Sequence, residues 1–204
     1  MPSLSQEHYQ WVDAMSDLAW SVAVIRGRSA AEVVRTYGGD PLQPQRMTYA
    51  EANDWRNQHF NEAGLLLVNQ LDQATVVIEP NGWASSIAEL ARRLSAHDAH
   101  FMSVYWSPSA YQVCEAKDGR VTALFDPIYV EPDEPEPRDG ERYPAWLKRD
   151  EFLADIRIRS SCMTLLEAQT GVRVERWWLE QQLTVFEVPD PDELLAGIAR
   201  VRLP

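Results

Sequence analysis

The first apolar pattern spans Ser5 to Arg26, where Trp11, Met15, Leu18, Val22 and Ile25 recur at steps of four and three. That period predicts one stripe of an amphipathic helix, stopped by Gly27. Ser29 and Glu32 carry the spacing of a capping box, in which each side chain satisfies a backbone N–H at the other position, and Val33, Val34 and Tyr37 follow as the apolar face of a short helix. Gly38-Gly39 and Pro41 close it. A third helix is expected over Thr48 to Phe60, with Tyr49, Ala52, Trp55 and Phe60 turned inward.

From Gly64 the period changes. Leu65-Leu66-Leu67-Val68 and Thr75-Val76-Val77-Ile78 are short runs of apolar or β-branched residues joined by a polar link, the pattern of a β-hairpin. Glu79-Pro80-Asn81-Gly82-Trp83 must then turn, because proline donates nothing to a ladder and Asn-Gly supplies positive φ. Ser86 with Glu89 reads as a second capping box, opening a helix that uses Ile87, Leu90, Ala91 and Leu94. Phe101 to Trp106, Tyr111 to Ala116 and Val121 to Phe125 read as three more strands, with Lys117-Asp118-Gly119-Arg120 as a tight hairpin. After a Pro-rich and acidic stretch, helices are expected around Trp146 to Ile156, from Arg159 to Thr170, from Glu175 to Gln182, and from Asp190-Pro191 onward.

The expected fold class is therefore α+β. One antiparallel β-β-α-β-β-β sheet is packed with an N-terminal helix and C-terminal helices. The 204 residues fit a single domain, 1–204, with 1–127 as the sheet core and its N-terminal helices, 128–145 as an acidic Pro-rich loop, and 146–204 as a helical annex. No apolar run reaches the roughly 20 residues of a spanning helix, and the start lacks a basic segment followed by an apolar one, so a cytoplasmic protein is expected. Cys114 and Cys162 lack metal or redox spacing and read as small buried apolar groups in a reducing compartment.

Charge changes the picture at one place. The net charge is −12, which on average repels a nucleic-acid backbone or an anionic membrane surface. Glu131, Asp133, Glu134 and Glu136 lie in the segment where this acid is concentrated. They read as a surface for a basic protein partner or, more blandly, as a solvated linker.

Several segments in order carry a likeness to a known family: Arg28-Ser29-Ala30-Ala31-Glu32-Val33-Val34, then Val77-Ile78-Glu79-Pro80-Asn81-Gly82-Trp83, Leu94-Ser95, and Thr170-Gly171-Val172-Arg173. Together they resemble an actinobacterial domain-of-unknown-function family, domain of unknown function 6461. The likeness covers most of the chain and implies a bacterial, cytoplasmic domain. It brings no catalytic residues with it.

The candidate chemistry is sparse. His97-Asp98-Ala99-His100 places two imidazoles three residues apart, as a metal or acid–base site would on a helix, but at a helix end histidines also serve the dipole. Glu79, at a strand-to-helix turn, is a candidate general acid or base if it is buried near His97, Asp98 or His100; otherwise the turn is structural. No P-loop, dinucleotide or nucleophile-elbow pattern occurs, and no metal or cofactor is expected. Among the eight tryptophans, Trp83, Trp106, Trp146, Trp177 and Trp178 are candidates for an exposed binding surface, against the alternative of packing between sheet and annex. Trp11 and Trp20 fall about 180° apart on a helix, so one of them must leave the stripe.

Two functions are weighed. The first is a non-enzymatic protein-binding module, immunity-type or regulatory, that uses the acidic loop and exposed aromatics; a homo-oligomer is a further possibility. The alternative is a small-ligand-binding protein or hydrolase-like enzyme with a Glu/His site, which requires Glu79 and the histidines to converge on one cleft.

Overall fold

A computed structural model describes residues 4–15, 19–130, 140–147 and 157–198. Its centre is an eight-stranded antiparallel sheet: β1 (Trp20–Arg26), β2 (Gln45–Met47), β3 (Ala63–Gln70), β4 (Ala74–Pro80), β5 (His100–Trp106), β6 (Tyr111–Lys117), β7 (Arg120–Phe125) and β8 (Leu183–Pro189), in the order β2-β8-β3-β4-β1-β5-β6-β7. The α+β class and the antiparallel sheet agree with the sequence pattern. Helices α1 (Leu4–His8), α2 (Gln10–Asp13), α3 (Ala30–Thr36), α4 (Tyr49–Gln58), α5 (Ala88–Leu94), α6 (Ile158–Thr170) and α7 (Pro191–Ile198) lie around it.

The expected helix from Ser5 to Arg26 does not form as one element. It breaks into α1 and α2, and its second half becomes β1, paired with β4 on one side and β5 on the other. All residues of Trp20–Ile25 are buried, so an element with one apolar stripe would leave half of them facing water; a strand covered on both faces does not. Val22, Val24 and Ile25 also favour the extended chain. Trp11 and Trp20 accordingly meet edge to face, with ring centroids 6.0 Å apart.

Two further strands escaped the pattern. The stretch from Glu175 to Gln182 holds only the short 3-10 turn Arg176–Leu179, and the chain then enters β8, so the 146–204 region is not helical throughout. β8 lies between β2 and β3 and joins the end of the chain to the main sheet. The expected helix around Trp146 to Ile156 falls mostly outside the described residues.

One face of the sheet packs Val22, Val24, Leu67, Val76, Met102 and Val104 against Cys162, Met163 and Leu166 of α6, together with Tyr9 and Val12. The other packs Ala23, Ile25, Val77 and Phe101 against Val33, Val34 and Tyr37 at α3 and Leu90, Ala91 and Leu94 of α5. Each such aliphatic side chain contributes roughly 1.5–3 kcal/mol by leaving water. Both cysteines are free and buried, and burial pushes their thiols up, Cys114 to about 12.

The caps at α3 and α4 are full boxes, Ser29 with Glu32 and Thr48 with Glu51. That expected from Ser86 and Glu89 is absent: α5 starts one residue later with Ile87 as its cap, Ser86 Oγ donates to Trp83 O at 2.7 Å, and Glu89 pairs instead with Arg92 and Arg93. In α4, Arg56 takes the inward position that Phe60 was expected to fill, and Phe60 is exposed.

Candidate functional site

Glu79 sits near the end of β4, with its side chain on the face that packs against α3 and α5. Its carboxylate closes the turn that follows: Ala84 N–H donates to Oε2 at 2.8 Å and Ser85 N–H to Oε1 at 2.8 Å. The Ser85 hydroxyl also donates to Oε1 and accepts from the Tyr37 hydroxyl at 2.6 Å. Gly82 lies so close that a Cβ there would be 2.9 Å from Glu79 Cβ, so no larger residue fits the turn. Burial raises the Glu79 carboxyl above its ordinary value; the bonds from Ser85 and Ala84 and the nearby charge of Arg56 oppose this without cancelling it. Burial likewise raises the Tyr37 hydroxyl.

His100 does not join Glu79. Glu79 pairs with Ser21, whereas His100 pairs with Arg26, five residues away along β1 and roughly 17 Å at the usual strand rise. The two side chains also point to opposite faces, because His100 shares the parity of Met102 and Glu79 that of Val77. His97 and Asp98 are exposed, at φ 55° and 59°, in the turn before β5. The expected Glu79–His97–Asp98–His100 constellation is therefore corrected: the helix ends before it, and strand register carries its members apart.

His100 instead meets Glu115 of β6, a residue the sequence reading passed over. His100 Nε2 lies 2.9 Å and Lys117 Nζ 2.7 Å from Glu115 Oε1, while Thr122 Oγ1 donates to Oε2 at 2.8 Å and Trp146 Nε1 donates to it at 3.1 Å. Burial alone would raise this carboxyl, but the bonds from His100, Lys117, Trp146 and Thr122 outweigh it and hold the group at about 2. Its signal was an acid inside the apolar run Val113-Cys114-Glu115-Ala116. A second missed pair is Arg56 Nη2 with Asp190 Oδ2 at 2.9 Å, both buried. Arg56 falls on the same α4 stripe as Tyr49 and Ala52, and Asp190 read only as a helix start.

The aromatic candidates separate by exposure. Trp106 is fully buried against Trp20, and Trp178 is buried too, so neither offers a binding surface; strand alternation and a single 3-10 turn put them inward. Trp83 and Trp146 are half-buried. Trp177 alone of the five is open, at 55% exposed, and stands edge to face on Trp178 with centroids 6.2 Å apart. Glu131, Asp133, Glu134 and Glu136 lie outside the described residues. Among the described residues no group of three or more His, Cys, Asp or Glu is arranged to hold a metal, and no helix is long and apolar enough to cross a membrane.

Fold and side chains together define an α+β domain built on one antiparallel sheet, with buried carboxylates that fasten its turns. The chain belongs to the family of unknown function DUF6461, which matches residues 3–191. Comparison with curated proteins and with solved structures gives no match.

Proposed function

We propose that this chain is a non-enzymatic protein-binding module, immunity-type or regulatory, acting in the cytoplasm of an actinobacterium on a basic protein partner. The observation that carries the reading is Trp177. Its neighbour Trp178 is anchored in the core, so the turn presents a large apolar ring to solvent at a fixed place. Tryptophan in such a position is the residue type that most often dominates a protein interface. The net charge of −12 favours a basic partner by long-range attraction. The buried carboxylates support the same reading: Glu79 and Glu115 are each occupied in holding backbone or side chains together, and burial accounts for the raised Glu79 as the four bonds do for the lowered Glu115.

The test is affinity purification from native lysate with the full chain and a Trp177→Ala variant, at low and high salt. A stoichiometric partner that is lost in the variant and weakened by salt is expected. Recovery of none, or of one indifferent to both changes, overturns the reading.

A further inference from the structure

The sheet edge next to β2 is incomplete. β2 pairs with β8 only over Leu183, Thr184 and Val185, whereas β8 continues to Pro189. The chain before β2 does not extend the pairing, because it closes a turn: Asp40 Oδ1 accepts from Leu42 N–H at 2.9 Å, and Gln43 N–H donates to Asp40 O at 3.1 Å. Between that turn and Glu187 lies a cavity of about 490 Å³, lined by Asp40, Leu42, Gln43, Pro44, Gln45 and Glu187.

Two properties of this notch point to its occupant. Its lining holds two carboxylates and no cation, and among the described residues neither Asp40 nor Glu187 is in an ion pair. Arg46, the nearest basic residue along β2, is committed elsewhere, to Thr184 Oγ1 and Gln182 O. Leu42 on the rim is 85% exposed, the most open large apolar side chain among the described residues. Two unpaired acids beside an apolar rim fit a long cationic side chain, whose aliphatic stem covers the leucine while its head meets the carboxylates.

We propose that the notch between the Asp40–Gln45 turn and Glu187 receives a lysine or arginine side chain of a basic protein partner. The proposal rests on the protein-binding reading and specifies the chemistry of one contact. The sheet edge gives it a rigid wall, since Glu187 is set by pairing with Leu65.

The experiment is a titration of the isotope-labelled full chain with a short arginine-rich peptide and with its citrulline counterpart, which keeps the shape and lacks the charge, followed by amide chemical shifts. Shifts at Asp40, Leu42 and Glu187 are expected, with affinity about tenfold weaker for the citrulline peptide and for the Asp40→Asn/Glu187→Gln variant. Shifts confined to the acidic 131–139 segment, or equal affinity in the variant, overturn the proposal. Both substitutions are on exposed side chains, so the variant keeps its fold, and unchanged amide dispersion verifies this. If a partner captured through Trp177 binds the double variant equally well, the notch fails while the binding reading stands. Shifts at the notch with no partner captured leave a cation site and overturn that reading.

Discussion

The Trp146 indole N–H donates to Glu115 Oε2 at 3.1 Å, fastening residues 140–147 to strand β6 through a carboxylate that also meets His100, Lys117 and Thr122. A second tie, the backbone bridge between Leu124 and Arg142, holds the same segment to β7. Glu141 Oε1, which accepts from Asp126 N–H at 3.0 Å, Arg142 Nη1, which donates to Val121 O at 3.0 Å, and the rings of Tyr143 and Trp146 on Phe125 hold it further.

Glu115→Gln replaces an acceptor of four bonds by an amide that must turn an N–H₂ toward one pair of donors. A loss of about 3 kcal/mol is expected, read by urea denaturation at neutral pH. The pH dependence has a definite sign. The folded carboxyl is held at about 2, below its ordinary 4.5, so the wild-type advantage is complete above pH about 4.5 and disappears as pH falls toward about 2. A gap between wild type and variant that stays constant down to pH about 2 would show that the four bonds do not favour the ionised form.

Glu79 has the opposite sign. Its folded carboxyl titrates above the ordinary value, so the folded state holds the proton more tightly than the unfolded chain does, and the stability contributed by the group falls as pH rises past about 4.5. Against a Glu79→Gln variant, which does not titrate, the wild-type advantage should shrink across that range. Glu79→Ala, which leaves Ala84 N–H, Ser85 N–H and the Ser85 hydroxyl without their acceptor, should cost about 3 kcal/mol below pH about 4.5 and less above it, measured by urea unfolding.

How far these sites were legible follows from what each one needs. The β3–β4 hairpin, α5 and the β5-β6-β7 meander were readable because period and turn residues coincide in sequence, and Asp118-Gly119 at φ 46° and 73° makes the tight turn its composition implies. β1 was not, since Trp20–Ile25 is apolar at every second and every fourth position alike, and only the strands on either side decide between them. β8 was hidden for a similar reason: its neighbours β2 and β3 are more than a hundred residues earlier in the chain. Glu79 was legible as a residue at a joint, but its face, and so its separation from His100, depends on strand parity and register.

Arg56 and Asp190 form a buried ion pair at 2.9 Å that connects the end of α4 to the start of α7. Removing one charge leaves the other in a low-dielectric site, so Arg56→Met and Asp190→Asn should each cost about 3–5 kcal/mol. The double variant should lose less than the sum of the two, with a coupling of about 2 kcal/mol in a denaturation cycle. Asparagine preserves the acceptor that Asp190 Oδ1 offers to Asp192 N–H at 3.0 Å, so the cycle isolates the charge interaction from the cap. Full additivity would mean that the pair is not coupled.

His97 and Asp98 adopt left-handed backbone in succession, at φ 55° and 59°, and their exposed side chains make no hydrogen bond or ion pair among the described residues. Such a conformation costs an L-residue roughly 1–2 kcal/mol, while glycine reaches it freely but loses more entropy on folding. His97→Gly should therefore stabilise the protein by about 0.5–1 kcal/mol. Gly171 supplies the control. It caps α6 at φ 69°, donating its N–H to Glu167 O at 2.7 Å, and a Cβ there would stand 3.4 Å from Arg26 Nη1. Gly171→Ala should thus destabilise by about 1 kcal/mol from backbone strain alone. Urea midpoints that move in opposite directions for the two substitutions are the expected result. A destabilised His97→Gly protein would mean that the imidazole holds the turn through contacts stronger than the strain.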